Sequence, residues 1–301
     1  MNKQAPQNDV PFTLPDQRVI ALRGRDALKF AQAQWMNDVD ALADGHWQWN
    51  GWLTPKGRVI ALFALLRFDR ETLWLVMPDT IADDVAAGLR RFVFRSKVEI
   101  GVRDDLRGVA AFATPVAALG NRFDAAAIDG IGGSVVELDF SADAGSRRLC
   151  LVDSVATTND VAADNDGAAR WKAFDLLHGL PRLAPAQAEA WTPQQLSLQR
   201  LRAFSVTKGC YPGQEIVART YFLGQAKRGL ALLQANVPVD PGTDVLSGDR
   251  AIGTVVSAAA VPDDGEWRLL AVIPIDTTDD VPLRAGDSRL TIATMRGGLA
   301  R

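Results

Sequence analysis

The chain has 301 residues, with 33 lysines and arginines against 36 aspartates and glutamates and a formal net charge of −3. At 48% hydrophobic and 23% charged residues it has ample material for a core, which excludes wholesale disorder, and its charge balance excludes a histone-like polybasic binder. Two cysteines (Cys150, Cys210) and two histidines (His46, His178) are too few for a disulfide framework, a Cys-type zinc site or a multi-histidine metal centre.

The first residues, Met1 to Pro15, are polar and broken by prolines, without the apolar core of a signal peptide. No run approaches the roughly 20 apolar residues that span a bilayer. A cytoplasmic location with both thiols free is therefore expected, and the length predicts two domains of about 150 residues each. Arg18–Leu22 reads as a strand, and Asp26 caps a helix whose apolar stripe is Leu28, Ala31 and Trp35. Arg58–Phe68 and Thr72–Met77 read as a hairpin turned by Asp69–Arg70–Glu71. A helix carrying Ile81, Val85, Leu89 and Phe92 follows Asp79–Thr80, and Lys97–Val102 is a further strand. This order predicts an α+β layer with helices on one sheet face.

Between Asp104 and Asp166 the signals weaken around a Gly130–Gly133 turn, where Val135 and Val136 spoil a dinucleotide-binding glycine pattern. Ala168–His178 reads as a helix stopped by Gly179 and Pro181. Past a boundary near Gly224–Lys227, short β-like runs at Leu230–Gln234, Ala251–Ser257, Arg268–Pro274 and Arg289–Met295 alternate with turn clusters, which predicts a small β-barrel or sandwich.

The chemistry concentrates in Thr207-Lys208-Gly209-Cys210-Tyr211-Pro212-Gly213-Gln214-Glu215. Two glycines and a proline within five residues predict a tight turn. Lys208, two residues before Cys210, favours a thiolate there, so Cys210 is either a reactive thiol or soft ligand, or a thiol packed under the turn. From Ala190 to Ala235 the bases Arg200, Arg202, Lys208, Arg219, Lys227 and Arg228 face a single acid, Glu215. Such a segment suits an anionic ligand or is simply a solvated face, and Tyr211, Tyr221 and Phe222 among the bases add ring partners. Cys150, in an apolar strand, reads as core, and His178 as a helix-end contact. His46 lies in a tryptophan cluster (Trp47, Trp49, Trp52) that reads as core or groove lining, and Trp171 as a partly exposed indole able to stack on a ligand. A nucleophile elbow, a zinc-protease helix and a phosphate-binding loop of the Walker type are all missing from the sequence.

Lys208-Gly209-Cys210-Tyr211-x-Gly213-Gln214-Glu215 resembles the signature of the YgfZ family of folate-binding, tRNA-modification-linked proteins, a branch of the glycine-cleavage T-protein (aminomethyltransferase) superfamily. Trp171-Lys172-Ala173 through Gly179-Leu180-Pro181, Pro193-Gln194-x-Leu196-x-Leu198-Gln199, Phe204-Ser205, Val217-Ala218-Arg219 and Gly224-x-x-Lys227-Arg228 extend the likeness. So do Lys29-Phe30-x-Gln32-x-Gln34-x-x-Asn37-Asp38-Val39 and Lys56-Gly57-Arg58, so that it spans roughly residues 12–299. The resemblance implies an α+β fold, a three-subdomain ring around a central hole with ferredoxin-like units. A discontinuous folate-binding region would occupy residues 10–224, with an inserted α+β unit at about 56–102, and a β-barrel residues 225–299.

It further implies tetrahydrofolate or another folate in the hole, faced by Cys210 as functional thiol with Lys208 and Glu215 beside it. Trp171, Tyr211, Gly209, Gly213, Gln214, Arg219 and Arg228 would form the folate site, and no metal is expected. A second folate-contacting tryptophan of the family is replaced by Gln17, and the acidic pair of active aminomethyltransferases by Ala61 and Leu62. Without that carboxylate, general acid/base catalysis has no evident carrier. The implied role is an accessory one, supporting maturation or repair of iron–sulfur proteins, among them a tRNA methylthiolation enzyme, through transient contact with client or assembly proteins. One cysteine cannot hold a cluster alone. The alternative is a folate-dependent one-carbon transferase using Glu215 or Asp38 as substitute acid. Direct tRNA binding by the basic segment has thin support without an RNA-binding motif, and no membrane partner is expected.

Overall fold

A computed structural model describes residues 10–78, 82–125, 135–154, 161, 163–224, 226–278 and 280–301. The expected helix start at Asp79–Thr80 and the Gly130–Gly133 turn lie outside the described residues. In chain order the elements are β1 (Phe12–Leu14), β2 (Arg18–Arg23), α1 (Ala27–Gln34), β3 (His46–Leu53), β4 (Val59–Arg67), β5 (Thr72–Met77), α2 (Ala82–Arg90), β6 (Glu99–Val102), β7 (Leu106–Ala111), β8 (Val135–Asp139) and β9 (Arg148–Asp153). They continue with α3 (Asn165–Leu177), α4 (Gln214–Leu223), β10 (Arg228–Ala235), β11 (Asp244–Ser247), β12 (Arg250–Val261), β13 (Glu266–Pro274), β14 (Leu283–Ala285) and β15 (Ser288–Ala293).

Two sheets and a closed barrel result. The first unit is an antiparallel sheet in the order β3-β4-β5-β2-β6. Its inner strands β4, β5 and β2 are apolar on both faces because both faces are covered. Ile20, Leu22, Ala61, Phe63, Leu65, Leu73 and Leu75 point toward Leu28 and Phe30 of α1 and Val85 and Leu89 of α2. Their alternates Val19, Ala21, Leu62, Ala64, Leu66, Trp74 and Val76 enter a second cluster, following the period of two along a strand. This unit begins at Arg18 rather than at about residue 56, because β2 pairs with β5 on one side and β6 on the other. β3 is an addition to the expected elements; it pairs with β4 along its whole length.

β1 pairs with β7, and the second sheet runs β1-β7-β9-β8. The chain thus leaves this sheet after β1, builds the first unit, and returns at β7. The strands β10-β13-β12-β11-β14-β15 close into a barrel around Leu233, Val245, Val255, Leu269 and Ala271. α3 joins the second sheet to the barrel. Its Trp171 packs beside Phe12, while Ala173 and Leu176 pack on Leu232, Ala259 and Leu270. All three units contribute to one buried apolar cluster that holds Trp47, Trp49, Leu62, Phe140, Leu149, Trp171, Val256, Val272 and Leu299. Among the described residues no helix is long and apolar enough to cross a membrane.

Candidate functional site

The signature segment leads into α4, with Gly213 in the helix N-cap position at φ 80°. A Cβ on Gly213 would stand 2.7 Å from the Thr54 carbonyl oxygen and from the Gly57 Cα, and Gly57, itself at φ 71°, meets Ile216 just as closely. Two glycines in the left-handed region therefore let the β3–β4 turn rest directly on the start of α4. The Lys56-Gly57-Arg58 motif and the signature, far apart in sequence, become one structure.

Lys208 is buried, and its three N–H donors reach the main-chain carbonyls of Gln32 (2.6 Å), Trp35 (2.6 Å) and Asn37 (3.0 Å). They fall at and just beyond the end of α1, where helical carbonyls lack intrahelical partners. Burial pulls the ammonium down to about 8 from 10.5, against the opposing pull of Asp38 and Asp40. Lys208 is thus committed as an anchor of the loop, not as the activating neighbour of Cys210 that the sequence suggested. Gln214 Nε2 closes the turn onto the Lys208 carbonyl at 3.1 Å. Tyr211 is buried too, its hydroxyl donating to the Ser205 carbonyl at 3.1 Å, and burial pushes that phenol up to about 12. On this fixed frame Cys210 and Gly209 are exposed. Lys208, Tyr211, Gly213 and Gln214 build the loop; Cys210 is what the loop presents.

Beside the loop lies an open cleft of about 630 Å³ between residues 37–48 and 202–207, completed by Asn121 and Arg301. Asn37 organises its floor, giving its side-chain amide to the carbonyls of Trp49 (2.9 Å) and Arg202 (2.7 Å). Asp38 accepts from Gln32 Nε2 at 3.0 Å and lines the cleft with Gln48, Phe204, Ser205 and Thr207. Arg202 holds a left-handed backbone (φ 56°) at the rim, and its exposed guanidinium has no partner among the described residues. Asn121 and Arg301 did not stand out in the sequence, and Asn37 and Arg202 did so only within a motif and a basic segment, not as residues that the fold joins. Isolated polar residues give no signal until the fold gathers them.

The nominated folate residues are scattered. Trp171 is 1% exposed, not partly exposed as expected: the Arg147 guanidinium sits 4.2 Å from its ring, and Phe12, Phe112 and Phe140 surround it. Arg147 is itself fully buried, paired with Asp175 at 2.5 Å. Gln17 is buried and gives its amide to the Met77 carbonyl. As folded, these two positions offer a folate no surface. Tyr211, Gly213 and Gln214 serve the loop, while Arg219, Arg228 and Glu215 are exposed on and after α4. None of the nominated folate residues lines the cleft. Cys150 is a core thiol, driven up to about 12 by burial and by Glu137. His178 caps α3, with Nδ1 2.7 Å from the Phe174 carbonyl. Among the described residues no group of His, Cys, Asp and Glu could hold a metal ion.

No family model matches the chain. A tRNA-modifying protein YgfZ of Klebsiella pneumoniae is 32% identical over 294 residues, covering 92% of this chain and 88% of that protein. The chain belongs to the YgfZ family. A YgfZ relative from Sodalis glossinidius is 30% identical over 303 residues, covering 94% of this chain and 91% of its own length, and an uncharacterized protein of Haemophilus influenzae is 27% identical over 289 residues, covering 93% and 95%. Among solved structures, the glycine cleavage system aminomethyltransferase T of Bartonella henselae superposes with a TM-score of 0.72, over 96% of this chain and 87% of that one, at 15% identity. The T-protein-like architecture expected from the YgfZ signature is therefore the architecture found.

Proposed function

We propose that this chain is a folate-binding accessory protein of tRNA modification, acting on iron–sulfur client proteins through the Cys210 thiol. The observation that carries the reading is an exposed thiol on an immobilised loop, in a member of the YgfZ family. After releasing its proton to water, such a thiol can supply one of the four ligands a cluster needs, so the client must supply the rest. Ala61 and Leu62 are buried and apolar, which argues against aminomethyl transfer.

Folate suits the cleft better than the closed surroundings of Trp171. The cleft volume is in the range of small-molecule sites. Asp38, Gln48 and Asn121 provide acceptors and donors for a pterin, Phe204 an aromatic surface, and Arg202 a cation for the glutamate carboxylates. A bound folate would bring its one-carbon chemistry next to the loop that carries Cys210.

The test combines calorimetric titration with 5-formyltetrahydrofolate and rescue of a strain that lacks its own YgfZ protein. Cys210→Ala is expected to lose rescue of tRNA methylthiolation while keeping folate affinity and melting temperature. Asp38→Ala and Arg202→Ala should each weaken folate about tenfold, equivalent to ~1.4 kcal/mol, with Trp171→Phe unchanged in affinity. Full rescue by Cys210→Ala removes the thiol role, and loss of affinity at Trp171 alone returns folate to the tryptophan.

A further inference from the structure

The C-terminal end of α4 is left uncovered. Tyr221, Phe222 and Leu223 are 56%, 63% and 83% exposed in succession, and the single buried residue of the helix is Val217. Ile275, 63% exposed, stands beside Lys227, whose carbonyl accepts the Ile275 N–H at 3.2 Å. The three successive helix side chains together expose on the order of 400 Å² of apolar surface, within the range of the biggest patch a soluble monomer normally leaves open. Around them Arg219, Lys227 and Arg228 are exposed, and among the described residues none of the three has a side-chain partner. Neither the fold nor the proposed thiol and folate chemistry uses any of these residues.

We infer that this end of α4 is the docking surface for the protein client, and that the client presents an apolar centre with an acidic rim. This rests on the reading of Cys210 as a thiol that serves a protein. The charge of the rim selects an acidic partner and disfavours a second copy of this chain, whose own rim carries the same charge. Leu223 and Ile275 select protein over nucleic acid, because aliphatic side chains offer a base nothing to stack on. Distance connects the patch to the thiol: a ten-residue helix is about 15 Å long, so Leu223 stands about that far from the start of α4, which the Cys210 loop enters. A partner burying about 800 Å² per side covers both ends. The apolar patch then supplies the hold, and Cys210 meets the client at the edge of the same footprint.

The test uses the full chain in the same rescue strain. Phe222→Asp combined with Leu223→Asp, and separately Arg219→Glu combined with Arg228→Glu, are expected to reduce rescue at least about tenfold. Melting temperature and folate affinity should be unchanged, since these side chains are exposed and the ring contact of Phe222 is with the exposed Tyr221. A photo-reactive benzoylphenylalanine at Leu223 should cross-link in cells to an iron–sulfur protein through an apolar peptide flanked by aspartate or glutamate, and Arg219→Glu with Arg228→Glu should abolish that adduct. Full rescue by the Phe222/Leu223 variant while Cys210→Ala fails overturns the docking surface and leaves the thiol reading standing. Full rescue by Cys210→Ala overturns the reading and the docking surface with it. A cross-link to RNA, to a second copy of the chain or to nothing overturns the inference.

Discussion

His178 shows how one buried side chain sets a pH limit on this fold. It is 2% exposed at the end of α3, stacked on Phe174 with ring centroids 4.2 Å apart, and its Nε2 accepts the Ala144 N–H at 3.3 Å. Burial, reinforced by the nearby Arg147, pulls it down to about 4 from 6.5, against the Phe174 carbonyl, Asp175 and Asp143. The unfolded chain thus binds a proton below pH 6.5 that the folded chain refuses until about pH 4. Stability from this group is complete above pH 6.5 and drains away as pH falls through that window, by up to about 3 kcal/mol. Urea unfolding at pH 7, 5.5 and 4.5 should show the decline, and His178→Gln should flatten it; an unchanged slope in the variant assigns the acid sensitivity elsewhere. The same scale explains what the sequence could and could not reveal. Cys210 in a glycine turn was legible as a special thiol. The role of Lys208 was not, because its partners lie more than 170 residues away. Trp171 misled because what covers it is an arginine, a residue that sequence reading puts on the surface.

At the scale of elements, the decisive contact is between the β3–β4 turn and the N-terminus of α4. Both sides were visible as motifs, yet α4 itself was not, since a helix with one buried residue carries almost no apolar periodicity. β3 was hidden for the opposite reason. Trp47 and Trp49 face one cluster and Trp52 the other, and Gln48, Asn50 and Gly51 between them are buried as well, polar and glycine positions that sequence reading does not place inside a strand. Hairpins with one solvent-facing turn and the barrel strands, by contrast, punctuate themselves with Gly, Asp and Pro and were readable. Because Gly213 touches the Gly57 backbone, Gly213→Ala combines left-handed strain with overlap against atoms that cannot swing aside. It should cost about 2–4 kcal/mol and loosen the Cys210 loop. Thermal denaturation and limited proteolysis within residues 205–213 would read the two effects. Wild-type stability in that variant would mean that the two motifs do not bear on each other.

For the whole molecule, the question is whether three β-containing units unfold as one. The cluster they share answers it physically, for it takes Leu62 and Leu66 from the first sheet, Leu138 and Leu149 from the second, Val256 and Val272 from the barrel, and Leu299 from the segment after the last strand. That segment is held in several ways: Trp49 Nε1 donates to the Leu299 carbonyl at 2.7 Å, Asp143 accepts from Gly297 N–H at 3.1 Å, and Arg301 reaches the carbonyls of Asp139 and Ser141. Leu299 therefore follows the barrel in sequence but is fixed to both sheets in space. Leu299→Ala should lower stability by about 2–5 kcal/mol, the usual loss for a buried leucine. It should do so in one cooperative transition, because the residue belongs to the core common to all units. Leu73→Ala, in the cluster confined to the first sheet and its helices, is the comparison. If Leu299→Ala lowered only the barrel's transition and split the melt in two, the units would be independent domains. A single shifted transition with red-shifted fluorescence from Trp47 and Trp49 would establish one cooperative body held together by the shared core.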